Sequence, residues 1–238
     1  MAKKASIVTE NGTHNRMGEI IAEAERPAPT QQIQIRPPQF RTVEVKIEGT
    51  APFVQLRFSQ KAQETIRAKH AAGGTAGSKR GNRAAKDFEG LYQDALYRSD
   101  DGKYGIPASA FRNAMIDACR TVGYKMTHAK MAAYVVADGL DVDGTTPLVY
   151  FTSGEPSKFE SITRNANGEP DIRVRGKWAP GWTMTVRVRF DSEMLTVADV
   201  VNLLARVGEQ VGVGEGRPFS KNSAGMGWGT FRLVEEVK

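Results

Sequence analysis

The chain has 238 residues, 40% of them hydrophobic, which is enough apolar material to bury a core as one large domain or one domain with insertions. Its 33 Lys and Arg against 27 Asp and Glu leave a formal charge of +6, a moderate excess that favours a polyanionic partner, nucleic acid first, without resembling a histone. The single cysteine, Cys119, excludes an internal disulfide framework and suits a reducing compartment, and no long uncharged apolar run marks a membrane span or leader, so the expected location is cytoplasmic.

Residues 1–41 are polar and end in PAPTQQIQIRPPQF, whose Pro27, Pro29, Pro37 and Pro38 forbid a regular helix or central strand there. An extended N-terminal arm is expected, with MGEIIAEAE as a candidate short helix; it is either a disordered leader or an arm lying on a neighbouring subunit. From Thr42 the run TVEVKIEG alternates Val43, Val45 and Ile47 with charged residues, the period of a half-buried strand. A basic, Gly-rich insertion follows at about 58–104, with Lys61, Arg67, Lys69, Lys79, Arg80, Arg83 and Lys86 between positions 61 and 86 against Glu64 as the one acid there. IPASAFRNAMIDACRTVG reads as a helix, with Pro107 near its first turn, Ser109 as a candidate cap, and Phe111, Met115, Ala118 and Val122 on one face.

LVYFTS, Leu148–Ser153, reads as a strand, and an excursion at about 154–182 folds back as a hairpin around Asn167-Gly168. TMTVRVRF places Met184, Val186, Val188 and Phe190 on one face and Arg187 and Arg189 on the other. Thr196 caps a helix with Val197, Val200, Val201, Leu204 and Val207 at helical spacing, and GTFRLVEEV forms a last strand. Without its insertions this is β-α-β-β-α-β over residues 42–238, an α+β arrangement of the ferredoxin-like type that RNA-recognition modules also use, in which both helices cover one face of an antiparallel sheet and leave the other free.

The glycines of GVGEGRPFSKNSAGMGWG form two triplets: Gly212, Gly214 and Gly216, then Gly225, Gly227 and Gly229. The first fails the dinucleotide fingerprint, because Arg217 stands where a third glycine is needed and a helix precedes the motif; SKNS lacks the order of a P-loop. The second, if in a strand, leaves one face bare. That face serves either close packing or the approach of a phosphate, with Arg217 and Lys221 supplying charge from the spacer.

Gly214-Glu215-Gly216, a spacer with Arg217 and Lys221, then Gly225-Met226-Gly227 before the final strand resembles the C-terminal glycine-rich loop of the repeat-associated mysterious protein (RAMP) superfamily, although the spacer is longer than usual. Ile106, Pro107, Ser109 and Arg112 are similar to the turn and basic helix of backbone subunits in CRISPR effector complexes. The resemblance spans about Thr42 to Val234. It implies a non-catalytic protein that binds single-stranded RNA, or DNA, along the backbone and stacks with copies of itself, and with other effector subunits, in an oligomer or filament. Arg173, Arg175 and Trp178 on the hairpin, Arg187 and Arg189 on the strand, and the basic insertion are then further candidate contacts, with Trp178 or Trp182 stacking on a base or, as for most tryptophans, simply packed in the core.

The competing readings are a metal-independent endoribonuclease centred on His70, flanked by Lys69 and Arg67, and a structural assembly protein without nucleic acid. No zinc-type cysteine-histidine spacing and no carboxylate cluster for magnesium is present in the sequence, so neither a metal nor a cofactor is expected.

Overall fold

Alternating β-branched residues build the centre of the fold, and the computed structural model shows where they go; it describes residues 37–57, 67–68, 70–71, 86–164, 168–221 and 223–234. In chain order the elements are β1 (Phe40–Gly49), β2 (Phe53–Gln55), α1 (Phe88–Asp94), β3 (Gly105–Pro107), α2 (Ala108–Ala118), a 3-10 turn (Cys119–Val122), α3 (Met126–Ala132), β4 (Ala133–Val136), β5 (Gly139–Leu140), β6 (Pro147–Ser153), β7 (Pro156–Arg164), β8 (Pro170–Trp178), β9 (Thr183–Asp191), α4 (Val197–Arg206), a π turn (Val207–Val211) and β10 (Phe231–Val234). The fold is α+β with a curled antiparallel sheet.

β1 and β9 pair antiparallel in the register Val43↔Val188, Val45↔Val186 and Ile47↔Met184, so the apolar residues of both strands share one face and all are buried. β10 lies on the other edge of β1. The free edge of β9 is shared: β4 pairs with its Arg187–Phe190 half and β6 joins at Met184 and Thr183, which curls the sheet onward to β3. On the apolar face, Phe111, Ala114 and Met115 of α2 and Val200 and Leu204 of α4 complete the core with the sheet's valines. That burial is the main driving force for holding the helices there.

Local signals explain the helix ends. Thr196 accepts from the Asp199 backbone N–H while Asp199 accepts in return from the Thr196 N–H, a capping box that fixes the start of α4. α2 starts one residue before Ser109, with Pro107 at its cap position and no side-chain cap bond, so Ser109 is inside the helix and not its cap. The tighter 3-10 turn after Ala118 rotates Val122 away from the face of Phe111 and Met115, leaving it 48% exposed.

The hairpin β7–β8 runs in full register from Pro156↔Trp178 to Arg164↔Pro170, and β2 adds to the other edge of β8. An aromatic cluster ties this three-stranded sheet to the main one. Trp178 stacks on Phe151 at 4.7 Å with rings 10° apart, Phe53 lies within 6 Å of Trp178 and Trp182, and Trp182 donates from Nε1 to Ala51 O. Two sequence expectations are corrected here. The second core strand beside β9 includes β4, which begins directly where α3 ends and was hidden by it; and Gly225, Gly227 and Gly229 are not in a strand, because each has a positive φ, 64°, 74° and 67°, incompatible with a pleat.

Candidate nucleic-acid interface

The glycine-rich segment is a loop pinned at its neck. Val213 N donates to Gly229 O, Gly229 N to Pro52 O, Glu215 N to Val54 O and Trp228 N to Gly216 O, all within 3.2 Å, so residues 213–216 and 228–229 close on each other and on β2. Two glycines make this closure sterically possible. A Cβ on Gly229 would stand 1.7 Å from Val213 O, and one on Gly214 would stand 2.6 Å from Val54 O and 2.5 Å from the Phe53 ring. From this neck the spacer 217–224 projects, its turn held by Ser223 Oγ donating to Arg217 O and accepting from Gly225 N.

On one side the spacer faces α2 and α3 across a cleft of about 660 Å³. Arg120, Lys130, Arg217 and Lys221 line it with Asp117 as the one acid among the described lining residues. Arg217 donates from Nε to Phe219 O at 2.9 Å and its guanidinium stands 3.9 Å from Asp117, the outer limit of an ion pair. Arg120 lies over the Phe219 ring at 5.8 Å. Arg112 donates to Lys130 O at 2.6 Å, tying α2 to α3 beside the cleft. Lys221 is exposed and makes no hydrogen bond or ion pair among the described residues. Four cations, guanidinium forks among them, surround a concave opening, and such forks have the donor geometry that matches carboxylate or phosphate oxygens.

The helix that carries Arg112 therefore faces the glycine-flanked spacer through Asp117, which Arg217 reaches, while Arg112 itself is turned to Lys130 O and does not line the cleft. Sequence reasoning missed Arg120 and Lys130. The available signal was helical spacing, since Asn113, Asp117 and Arg120 recur along the face of α2 and its 3-10 extension that turns toward the spacer.

The remaining candidates are dispersed. Arg175 is buried, ion-paired with Glu215 and hydrogen-bonded to Ser161 Oγ at 2.7 Å, so it braces the loop neck against the hairpin and offers no open charge. Trp178 is fully buried against Phe151 and cannot offer a ring face to a base in this arrangement; Trp182 is buried with it. Arg173 is exposed on the outer part of β8, Arg187 is paired with Asp138, and Arg189 is exposed on the open sheet face. Arg67 and His70 are exposed on a helical stretch, whereas Lys61, Lys69, Lys79, Arg80 and Arg83, with the expected arm up to position 36, lie outside the described residues. Of the glycines, Gly214 and Gly216 belong to the neck, and Gly225 and Gly227 to the returning limb of the spacer.

Among the described residues no three His, Cys, Asp or Glu side chains stand together as metal ligands, and no helix is long and apolar enough to cross a membrane. No family model matches the chain, and no curated protein does. Among solved structures it is similar to the crystal structure of Thermofilum pendens Csc2, at 13% identity and a TM-score of 0.30, over 84% of this chain and 66% of that one, so that the chain spans just under two thirds of that protein's length.

Proposed function

We propose that this protein binds single-stranded nucleic acid, RNA being the favoured reading with DNA as the alternative, through its phosphate backbone and without catalysis. The observation that carries this reading is the convergence of Arg120, Lys130, Arg217 and Lys221 on one cleft with a single carboxylate, in a chain of net charge +6. The strand order supports it: β10, β1 and β9 lie side by side with β4 on the far edge of β9, and α2 and α4 follow β1 and β9 in the chain, the order expected if the core is ferredoxin-like. The sequence resemblance to the RAMP superfamily adds assembly with copies of itself, and with other effector subunits, to the proposal. The division into an arm over residues 1–41 and a domain over 42–238, with insertions at about 58–104 and 154–182, is part of the same reading.

The test is the salt dependence of binding to a fluorescent 20-nucleotide single strand. The logarithm of the binding constant is expected to fall linearly with the logarithm of salt concentration, and Arg217→Ala with Lys221→Ala is expected to make the slope shallower by about 0.7 per lost phosphate contact, roughly 1.4 in all. Binding and slope left unchanged by the double substitution would overturn the assignment of the cleft.

A further inference from the structure

The face of the main sheet opposite the helices carries two exposed rings that neither the core nor the cleft uses. Phe40 on β1 is 40% exposed and Tyr134 on β4 is 43% exposed, with ring centroids 6.4 Å apart and planes 59° from parallel. Between their strands runs β9, and the register sets Arg189 directly opposite Tyr134 on one side and Thr42 on the other, so these side chains form a row across the three strands. The Arg189 guanidinium lies 5.3 Å from the Phe40 centroid and makes no ion pair among the described residues, in contrast with its neighbour Arg187, which is paired with Asp138.

Singly exposed apolar residues are ordinary, but two neighbouring exposed rings make a contiguous apolar spot on this face, the kind of feature that marks binding surfaces. Here a cation without a carboxylate partner accompanies them, so the surface suits a ligand that combines a flat π system with negative charge. A nucleotide has both. The bases of a duplex are already stacked on one another and hidden from such a surface, whereas those of a single strand are free to lie on it.

We propose that Phe40, Tyr134 and Arg189 form a base-stacking platform for single-stranded nucleic acid, with the rings taking bases and Arg189 taking the adjoining phosphate. The proposal rests on the single-strand reading above but uses a different face of the sheet from the cationic cleft. It adds the bases to a recognition scheme otherwise confined to phosphates, and it predicts tolerance of sequence, since every base has a π face.

The probes are a fluorescent 20-nucleotide oligothymidylate and an abasic strand of the same length, which keeps the phosphates and lacks the bases. Wild-type protein is expected to prefer the oligothymidylate by roughly 5- to 150-fold for each base stacked. Phe40→Ala with Tyr134→Ala is expected to abolish that preference while leaving the salt slope unchanged; Phe40→Tyr with Tyr134→Phe, which retains both rings, is expected to restore it. Arg217→Ala with Lys221→Ala is expected to do the reverse, lowering the slope and keeping the preference. Equal wild-type affinity for the two strands, or a preference that survives loss of both rings, overturns the platform even if the cleft is upheld. A change in sedimentation mass on loss of the rings, with strand preference intact, overturns it in favour of contact between copies.

Discussion

Gly229 and Gly227 have nearly the same backbone, at φ 67° and 74°, yet a Cβ on the first would collide with Val213 O at 1.7 Å and a Cβ on the second would meet nothing within 4 Å. Gly227→Ala is therefore expected to cost about 1–2 kcal/mol, the strain of the left-handed region alone. Gly229→Ala is expected to cost clearly more, because the loop neck must open to admit it; urea unfolding of the two variants measures the difference. Trp178 offers a second contrast at this scale. Fully buried and stacked on Phe151, it is expected to lose about 3–5 kcal/mol of stability as Trp178→Ala, whereas the exposed Lys221→Ala leaves the unfolding midpoint unchanged and weakens strand binding. Glycine identity was legible in the sequence, but the role of each glycine was not. Spacing two apart reads as one face of a strand, and only the φ values show that these residues serve turns.

At the scale of elements, the clearest legible feature is α4. Its apolar spacing and Thr196 cap predicted a helix that the structure places at Val197–Arg206. The Asp199 carboxyl accepts hydrogen bonds from the Thr196 backbone N–H and hydroxyl, which hold it below the ordinary carboxylate range. A carboxyl depressed in the folded state contributes stability that is complete above its unfolded pKa of about 3.9 and is lost as pH falls through the lower folded value. Asp199→Asn keeps a capping acceptor without the charge, so its stability deficit relative to wild type, measured by thermal melting, is expected at neutral pH and to shrink below about pH 4. Thr196→Ala removes the hydroxyl acceptor and is expected to cost about 1 kcal/mol at neutral pH. β4 was not legible because it begins directly where a helix ends and its four residues are too few to display a period of two.

For the whole molecule, the net charge of +6 is less informative than its distribution. Arg57, Arg175, Arg187 and Arg232 are each paired with a carboxylate, whereas the cleft between α2 and the spacer keeps four cations against Asp117. Asp117→Asn removes that one opposing charge and is expected to tighten binding of a single strand several-fold at low salt, with the gain fading as salt rises past about 0.15 M, where screening acts over roughly 8 Å. A fluorescence titration at two salt concentrations checks both parts. Asp117→Asn without effect at any salt concentration would indicate that the strand does not pass the cleft.

The sequence by itself determined the parts: the alternation in β1 and β9, the apolar spacing of α4 with its Thr196 cap, the β7–β8 hairpin and the excess of cations. These are set by nearest-neighbour sterics and by the partition of apolar residues from water, both of which act over a few positions. Only the tertiary structure decided which cations remain open, because pairing Arg175 with Glu215, bringing Arg217 to the face of α2 and leaving Arg189 beside Phe40 depend on contacts between residues far apart in the chain. A charge counts toward binding once its partners are known, and those partners are chosen by the fold.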